Sequence, residues 1–285
     1  MKVRQTLAAA ALALGASLGP AAVAAHDLPR VVSFDFGSLD TLDALGLGDQ
    51  VVAVPKGGLP DYLSQYSGDA YPDAGNLKSP DVEAVRGAAP DLILVTGRQG
   101  DAVETLDEIA ETVNVGLEDG AYLEAVSANV LKLAERFHAR DQAETALAEL
   151  RAVVEKQRDR IDETQDVLVV THNDGHFGLR HEPVVYDLLG LAEPVVPDDV
   201  ESVTRGTRTF TPLTPDVIAR MAPDHLMIVD RSAAIGAGQV DLDALKQQLG
   251  GAVPAVTVLN PGLWYLSGNG LESVRLQVEE VVQAL

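Results

Sequence analysis

The sequence predicts an α/β protein made of two Rossmann-like lobes joined by one long helix, and three observations lead there. One pattern occurs twice. Pro80-Asp81 opens a short helical stretch, Pro90-Asp91 breaks it, Leu92-Ile93-Leu94-Val95 follows, and Arg98 stands eight residues after the second proline. The other copy reads Pro215-Asp216, Pro223-Asp224, Leu226-Met227-Ile228-Val229 and Arg231, again eight residues on. The strands of both copies are continuously apolar, the mark of a buried strand. Between the copies, residues 141–164 set Ala143, Ala146, Leu147, Leu150, Val153, Val154 and Ile161 at three- and four-residue steps, with charged residues on the other faces. At 1.5 Å per residue such a helix spans about 35 Å, enough to strut one lobe against the next.

The elements follow in order. Residues 31–34 form a strand, 39–45 a helix stopped by Gly46, and 51–54 the next strand. Pro55, Gly57, Gly58 and Pro60 make a fixed, exposed turn. Tyr62, Tyr66 and Tyr71 come next and are read as packing or surface residues rather than cleft residues. After the strand at 92–95 come helices at 102–111 and 122–137, then the strut. The second half opens with a strand at 167–170 and a loop through His172, His176, Arg180 and His181. A helix at 184–189, a loop at 200–215, strands at 226–229 and 256–259, a Gly-containing turn at 261–270 and a helix at 271–283 complete the chain. The divisions expected are a signal peptide (1–25), an N-terminal lobe (26–140), the connecting helix (141–164) and a C-terminal lobe (165–285).

The signal peptide rests on Lys2 and Arg4 before the apolar run 7–18 and the small residues 22–25, a run too short to span a bilayer. With no cysteine there is neither a disulfide nor a lipidated anchor, so the expected location is the periplasm of a bacterium with two membranes, without membrane insertion. Against 21 Lys and Arg stand 43 Asp and Glu, a net charge of −22 that argues against nucleic acid and anionic membranes as partners. An anionic small ligand stays possible, because distant surface charge is screened while an arginine at 6 Å, in an effective dielectric near 20, is worth roughly 3 kcal/mol.

In open α/β sheets ligands lie beyond the carboxyl ends of strands, which is where Arg98 and Arg231 fall. Guanidinium groups suit delocalised anions such as carboxylates or catecholates. Arg180, Arg205 and Arg208 occupy nearby loops, and Trp264 and Tyr265 offer an aromatic wall or, alternatively, core packing under the last helix. A second reading takes His172, His176 and His181 as a metal site. No nucleophile elbow, P-loop or His-Glu-x-x-His motif supports an enzyme.

Phe34-Asp35-x-Gly37-x-Leu39-Asp40-Thr41-Leu42-Asp43-Ala44-Leu45-Gly46, Val54-Pro55-Lys56-x-x-Leu59-Pro60-x-Tyr62-Leu63, and Trp264-Tyr265-Leu266-Ser267-Gly268-Asn269-Gly270-Leu271-Glu272-Ser273 resemble the periplasmic iron–siderophore binding proteins of the enterobactin/petrobactin type. The segments 90–99 and 223–231 continue the likeness. The resemblance implies a class III periplasmic binding protein: a monomer without catalytic activity or resident cofactor. It would carry ferric siderophores, chiefly catecholates, to an inner-membrane ABC permease. It places ligand-binding arginines at Arg98 and Arg231 and an iron-binding tyrosine at Tyr265. Where the family has Arg-Phe-Gly this chain has His176-Phe177-Gly178, so His176, or Arg180 nearby, supplies the third basic wall. Where some members have an iron-binding His-Gly, it has Arg205-Gly206, and Arg205 is expected to add charge. Glu83 and Asp216, each seven residues before the repeated proline, are the expected acidic contacts to the permease. Haem, or a bare divalent metal on the three histidines, is the alternative ligand.

Overall fold

The computed structural model describes residues 28–285 except Glu163 and Thr207, and without the side chains of Arg205 and Arg208. The expected signal peptide lies outside the described residues. The strands are β1 (Val31–Ser33), β2 (Val51–Ala53), β3 (Leu92–Val95), β4 (Glu111–Asn114), β5 (Val167–Asn173), β6 (His176–Leu179), β7 (Val203–Arg205), β8 (Arg208–Phe210), β9 (Pro212–Leu213), β10 (His225–Asp230) and β11 (Ala255–Leu259). The helices are α1 (Phe36–Ala44), α2 (Val82–Ala88), α3 (Ala102–Asp107), α4 (Tyr122–Arg136), α5 (Arg140–Arg158), α6 (Pro215–Met221), α7 (Arg231–Ala234), α8 (Leu242–Leu249) and α9 (Leu271–Ala284).

Two sheets result. The N-terminal one is wholly parallel, in the order β2-β1-β3-β4. The C-terminal one, β11-β10-β5-β6-β9, is parallel across β11, β10 and β5, and antiparallel beyond. β3 and β10 are buried along their whole length, as strands covered on both faces must be.

The repeated pattern gives two seven-residue helices, α2 and α6. Each ends on a left-handed alanine, Ala89 (φ 47°) and Ala222 (φ 45°), immediately before the proline that forbids continuation. Their starts differ. Asp81 caps α2 through the Ala84 N–H, whereas Thr214 caps α6 and Pro215 is already its first residue. The Pro-Asp dipeptide therefore does two different jobs.

The connecting helix stops at Arg158, six residues short of the expected 164. Asp162 accepts from the Thr164 N–H (3.0 Å) and hydroxyl (2.6 Å), a local turn that competes with helix. Three other expectations change. The helix expected at 102–111 ends at Asp107, and Glu111 begins the edge strand β4. The loop expected after 170 contains β6, turned back by Asp174 (φ 50°) and Gly175 (φ 76°). The loop at 200–215 holds the β7–β8 hairpin.

One apolar core joins the two halves, running through Phe36 and Leu39 of α1, Leu147 and Val154 of α5, and Val274 and Val278 of α9. The start of α9 lacks a side-chain cap of its own because Gly270 precedes it. Its first N–H groups are satisfied from α1 instead: Leu271 donates to Thr41 Oγ1 (3.3 Å), and Glu272 and Ser273 donate to the Asp40 carboxylate (both 3.1 Å). A Cβ on Gly37 would lie 2.0 Å from the Gly268 carbonyl oxygen, so only glycine lets the two segments meet. Tyr62 donates to Asp40 (3.0 Å) and is bonded to Ser267, and Tyr66 is buried, so these tyrosines pack rather than face the cleft.

Candidate functional site

The loop after β3 is held by a buried glutamine. Gln99 accepts from the Thr96 N–H (2.6 Å) and donates to the carbonyls of Leu77 (2.6 Å) and Phe34 (3.2 Å). This fixes Arg98, whose Nη2 donates to the Tyr265 carbonyl at 2.9 Å. From the other lobe, Arg231 at the end of β10 donates through Nε to the Tyr265 phenolic oxygen at 2.8 Å, and through Nη1 to Asn173 Oδ1. The two guanidinium carbons lie 5.9 and 5.7 Å from the centre of the same ring, within cation–π range. Tyr265 is thus held by its backbone from one lobe and by its hydroxyl from the other.

These three residues line a cleft of about 640 Å³, with Gly57, Gly58, Leu77 and Lys78 on one side and Ala234, Ile235 and Leu266 on the other. Among the described residues no carboxylate lines it, in a chain with 43 acidic residues. The arginines reinforce the point. Arg136, Arg180, Arg220 and Arg275 are closed on carboxylates at 2.6–3.0 Å, whereas Arg98 and Arg231 touch only neutral oxygens. Neither is closed on a carboxylate by a hydrogen bond, though the Asp35 carboxyl feels Arg98 through space, so their donors stay oriented for an anion.

The other expected site residues fall elsewhere. His176 is exposed on β6, in an adjoining depression of about 610 Å³ shared with Asn173, Phe177 and Phe210. Arg180 does not line the cleft: it is paired with Glu182 (2.6 Å) and donates to the Trp264 carbonyl (3.3 Å), bracing the turn from behind. Trp264 is no aromatic wall. Only 2% exposed, it gives its indole N–H to Glu280 at 2.6 Å and packs in the core, because the π-helical turn 262–266 sends it opposite to Tyr265. Arg205 stands on β7, but its side chain lies outside the described residues.

The three histidines do not converge. His172 is buried with Nδ1 2.8 Å from Asp230, His181 stacks on Tyr186 and is bonded to Glu193 (3.0 Å), and His176 faces solvent. Among the described residues no group of three or more His, Cys, Asp or Glu could hold a metal ion. Glu83 and Asp216 occupy the same second position of α2 and α6, and both side chains are 88% exposed.

Sequence reasoning missed Lys78, Gln99 and Asn173. The last two carried a signal: Gln99 adjoins Arg98 after one strand, and Asn173 ends a strand parallel to the one that precedes Arg231.

Residues 31–256 match the family model described as periplasmic binding protein, and the chain belongs to that family. Within it the chain is 34% identical over 268 residues to the petrobactin-binding protein YclQ of Bacillus subtilis, an alignment covering 90% of this chain and 82% of that one. It is 25% identical over 270 residues to the ferric-anguibactin-binding protein FatB of Vibrio anguillarum, covering 89% and 81%. The crystal structure of YclQ superposes with a TM-score of 0.81 at 31% identity, over 90% of this chain and 92% of that one. Among the described residues no helix is long and apolar enough to cross a membrane.

Proposed function

We propose that this chain is a periplasmic ferric-siderophore binding protein that captures an anionic, catecholate-type chelate between its lobes and hands it to an inner-membrane ABC permease. The observation that carries this reading is the cleft itself: two arginines from opposite lobes, oriented by neutral acceptors on one tyrosine, with Lys78 beside them and no carboxylate in the lining. A catecholate chelate of iron offers delocalised negative charge to the guanidinium groups and ring edges to Leu77, Ile235 and Leu266. The likeness to YclQ and FatB supports iron chelates over haem or a bare metal ion.

Tyr265 is the proposed direct iron ligand. A hard trivalent cation displaces a phenolic proton, and Arg231 at 2.8 Å stabilises the phenolate that results. His176 is proposed to contact the chelate from the adjoining depression, and Arg205 to add charge at the rim. The chain is proposed to act as a monomer.

The test is a titration of the mature protein followed by fluorescence of Trp264, which adjoins Tyr265. Saturable quenching by ferric catecholate chelates, with apo-chelates and zinc silent, is the expected result. A response to haem or zinc with ferric chelates silent would overturn the proposal.

Glu83 and Asp216 are proposed to dock on the permease, one from each lobe, since they stand at matching positions and are freely exposed. Reversing both charges is expected to abolish uptake and leave chelate binding intact. Undiminished uptake would reject the pairing.

A further inference from the structure

The pairing of β5 with β10 does not stop where the sheet ends. Their backbone register sets His172 opposite Asp230. Three successive bonds, two between side chains and one from backbone to side chain, then keep one offset of 58 residues: His172 Nδ1 with Asp230 Oδ1 (2.8 Å), Arg231 Nη1 with Asn173 Oδ1, and the Asp174 N–H with Ser232 Oγ (2.8 Å). His172, Asp230 and Ser232 are buried at 4%, 1% and 3% exposure, Asp174 is exposed, and the middle rung reaches the cleft through Arg231.

The ends of this ladder are themselves fixed. The Gly175 N–H donates to His172 Nε2 at 3.0 Å, so the imidazole proton is on Nδ1 and is given to Asp230. Asp230 also accepts from the Val240 N–H (2.7 Å) and the Ala233 N–H (3.2 Å). The positive φ of Asp174 and Gly175 folds the chain tightly enough for Gly175 to reach back to the ring.

We propose that this ladder is a positioning device for Arg231, with Asn173 as the positioning residue and the two flanking rungs holding it in register. The proposal rests on reading the cleft as an anion site. The choice of side chain at 173 carries the argument. An amide oxygen aims the guanidinium fork without neutralising it, whereas a carboxylate there would close Arg231 into an ion pair like those of Arg180 and Arg220.

The test has two arms. The first needs no ligand: arginine-selective nitrogen-15 NMR of the free protein at low temperature, with the Arg231 Nη–H signals assigned through Arg231→Lys. Asn173→Ala and His172→Asn are each expected to speed Nη1–H exchange at Arg231 by about tenfold, the weight of one hydrogen bond to a charged group, with the far-ultraviolet circular dichroism unchanged. The second arm titrates a ferric bis-catecholate. Asn173→Asp is expected to weaken binding about tenfold in the wild-type background and less than about twofold in Arg231→Ala, since the two residues act as one unit.

An unchanged Arg231 signal in both Asn173→Ala and His172→Asn would overturn the ladder's role. So would an Asn173→Asp loss that persists in full without Arg231. If the wild type binds no ferric bis-catecholate, the reading of the cleft fails, and the first arm still decides the ladder.

Discussion

The two lobes bring an arginine to the same tyrosine by different means. β3 has four residues and Arg98 follows it on a loop, whereas β10 has six and Arg231 stands directly at its end. The N-terminal lobe secures its loop with one buried side chain, Gln99, whose amide ties three segments together. The C-terminal lobe extends its sheet pairing outward through side chains. An inherited offset of eight residues thus specifies where an arginine stands, and the surroundings, free to differ, specify how firmly it is held.

The largest effect is expected not within either lobe but at the seam they share. Burial pushes Asp40 up to about 7, against hydrogen bonds from Ser273, Glu272 and Tyr62 that pull it down. In the unfolded chain a carboxyl titrates near pH 4. Below that pH both states hold the proton; between there and pH 7 the unfolded chain releases it first. The seam's contribution is therefore fully present at low pH and is lost, by a few kcal/mol, as pH rises through this window. Denaturant midpoints of wild type and Asp40→Asn from pH 4 to 8 should show the wild type losing ground; a constant gap would mean that Asp40 is not titrating there.

Gly37→Ala comes next, expected to cost about 3 kcal/mol because a methyl group would strike the Gly268 carbonyl. Calorimetry should show one lowered transition. Two separate transitions would mean that the lobes fold independently of the seam.

The comparison of the arginines is sharpened by removing each. Arg231→Ala is expected to lower chelate affinity by about 2 kcal/mol, roughly thirtyfold, and Arg98→Ala by about 1 kcal/mol, since only Arg231 touches the phenolic oxygen. Isothermal titration would reverse the assignment if Arg98→Ala proved the more damaging. The smallest effect belongs to the helix caps: Asp81→Ala and Thr214→Ala should each cost about 1 kcal/mol of stability in urea melts. Unequal losses would show that the two helices, alike in length, are not alike in weight.

The buried parallel strands were legible because their apolar runs are unbroken. β4 was not: Glu111 and Asn114 are exposed at an edge, and nothing in Glu-Thr-Val-Asn exceeds what a loop would carry. β6 left a trace, since Asp174-Gly175 is a strong hairpin signal, but its strand is only half buried and begins with an exposed histidine. Arg98, Arg231 and Tyr265 were legible as positions, by repetition and by family likeness. Their partners were not, because Asn173 and Gln99 matter through bonds to residues 58 and up to 65 positions away. Trp264 misled for a simple reason: adjacent residues on a helical turn need not share a face.

The α1–α9 contact has a consequence for the order in which the molecule is made. The Asp40 carboxylate caps a helix whose first turn lies 232 positions later, so α1 waits for α9. A growing polypeptide cannot cover that face of α1 until α9 has emerged. Contacts so distant in sequence slow folding. The nascent chain stays open there until α9 has been made, the state in which a polypeptide can still be threaded through a narrow channel.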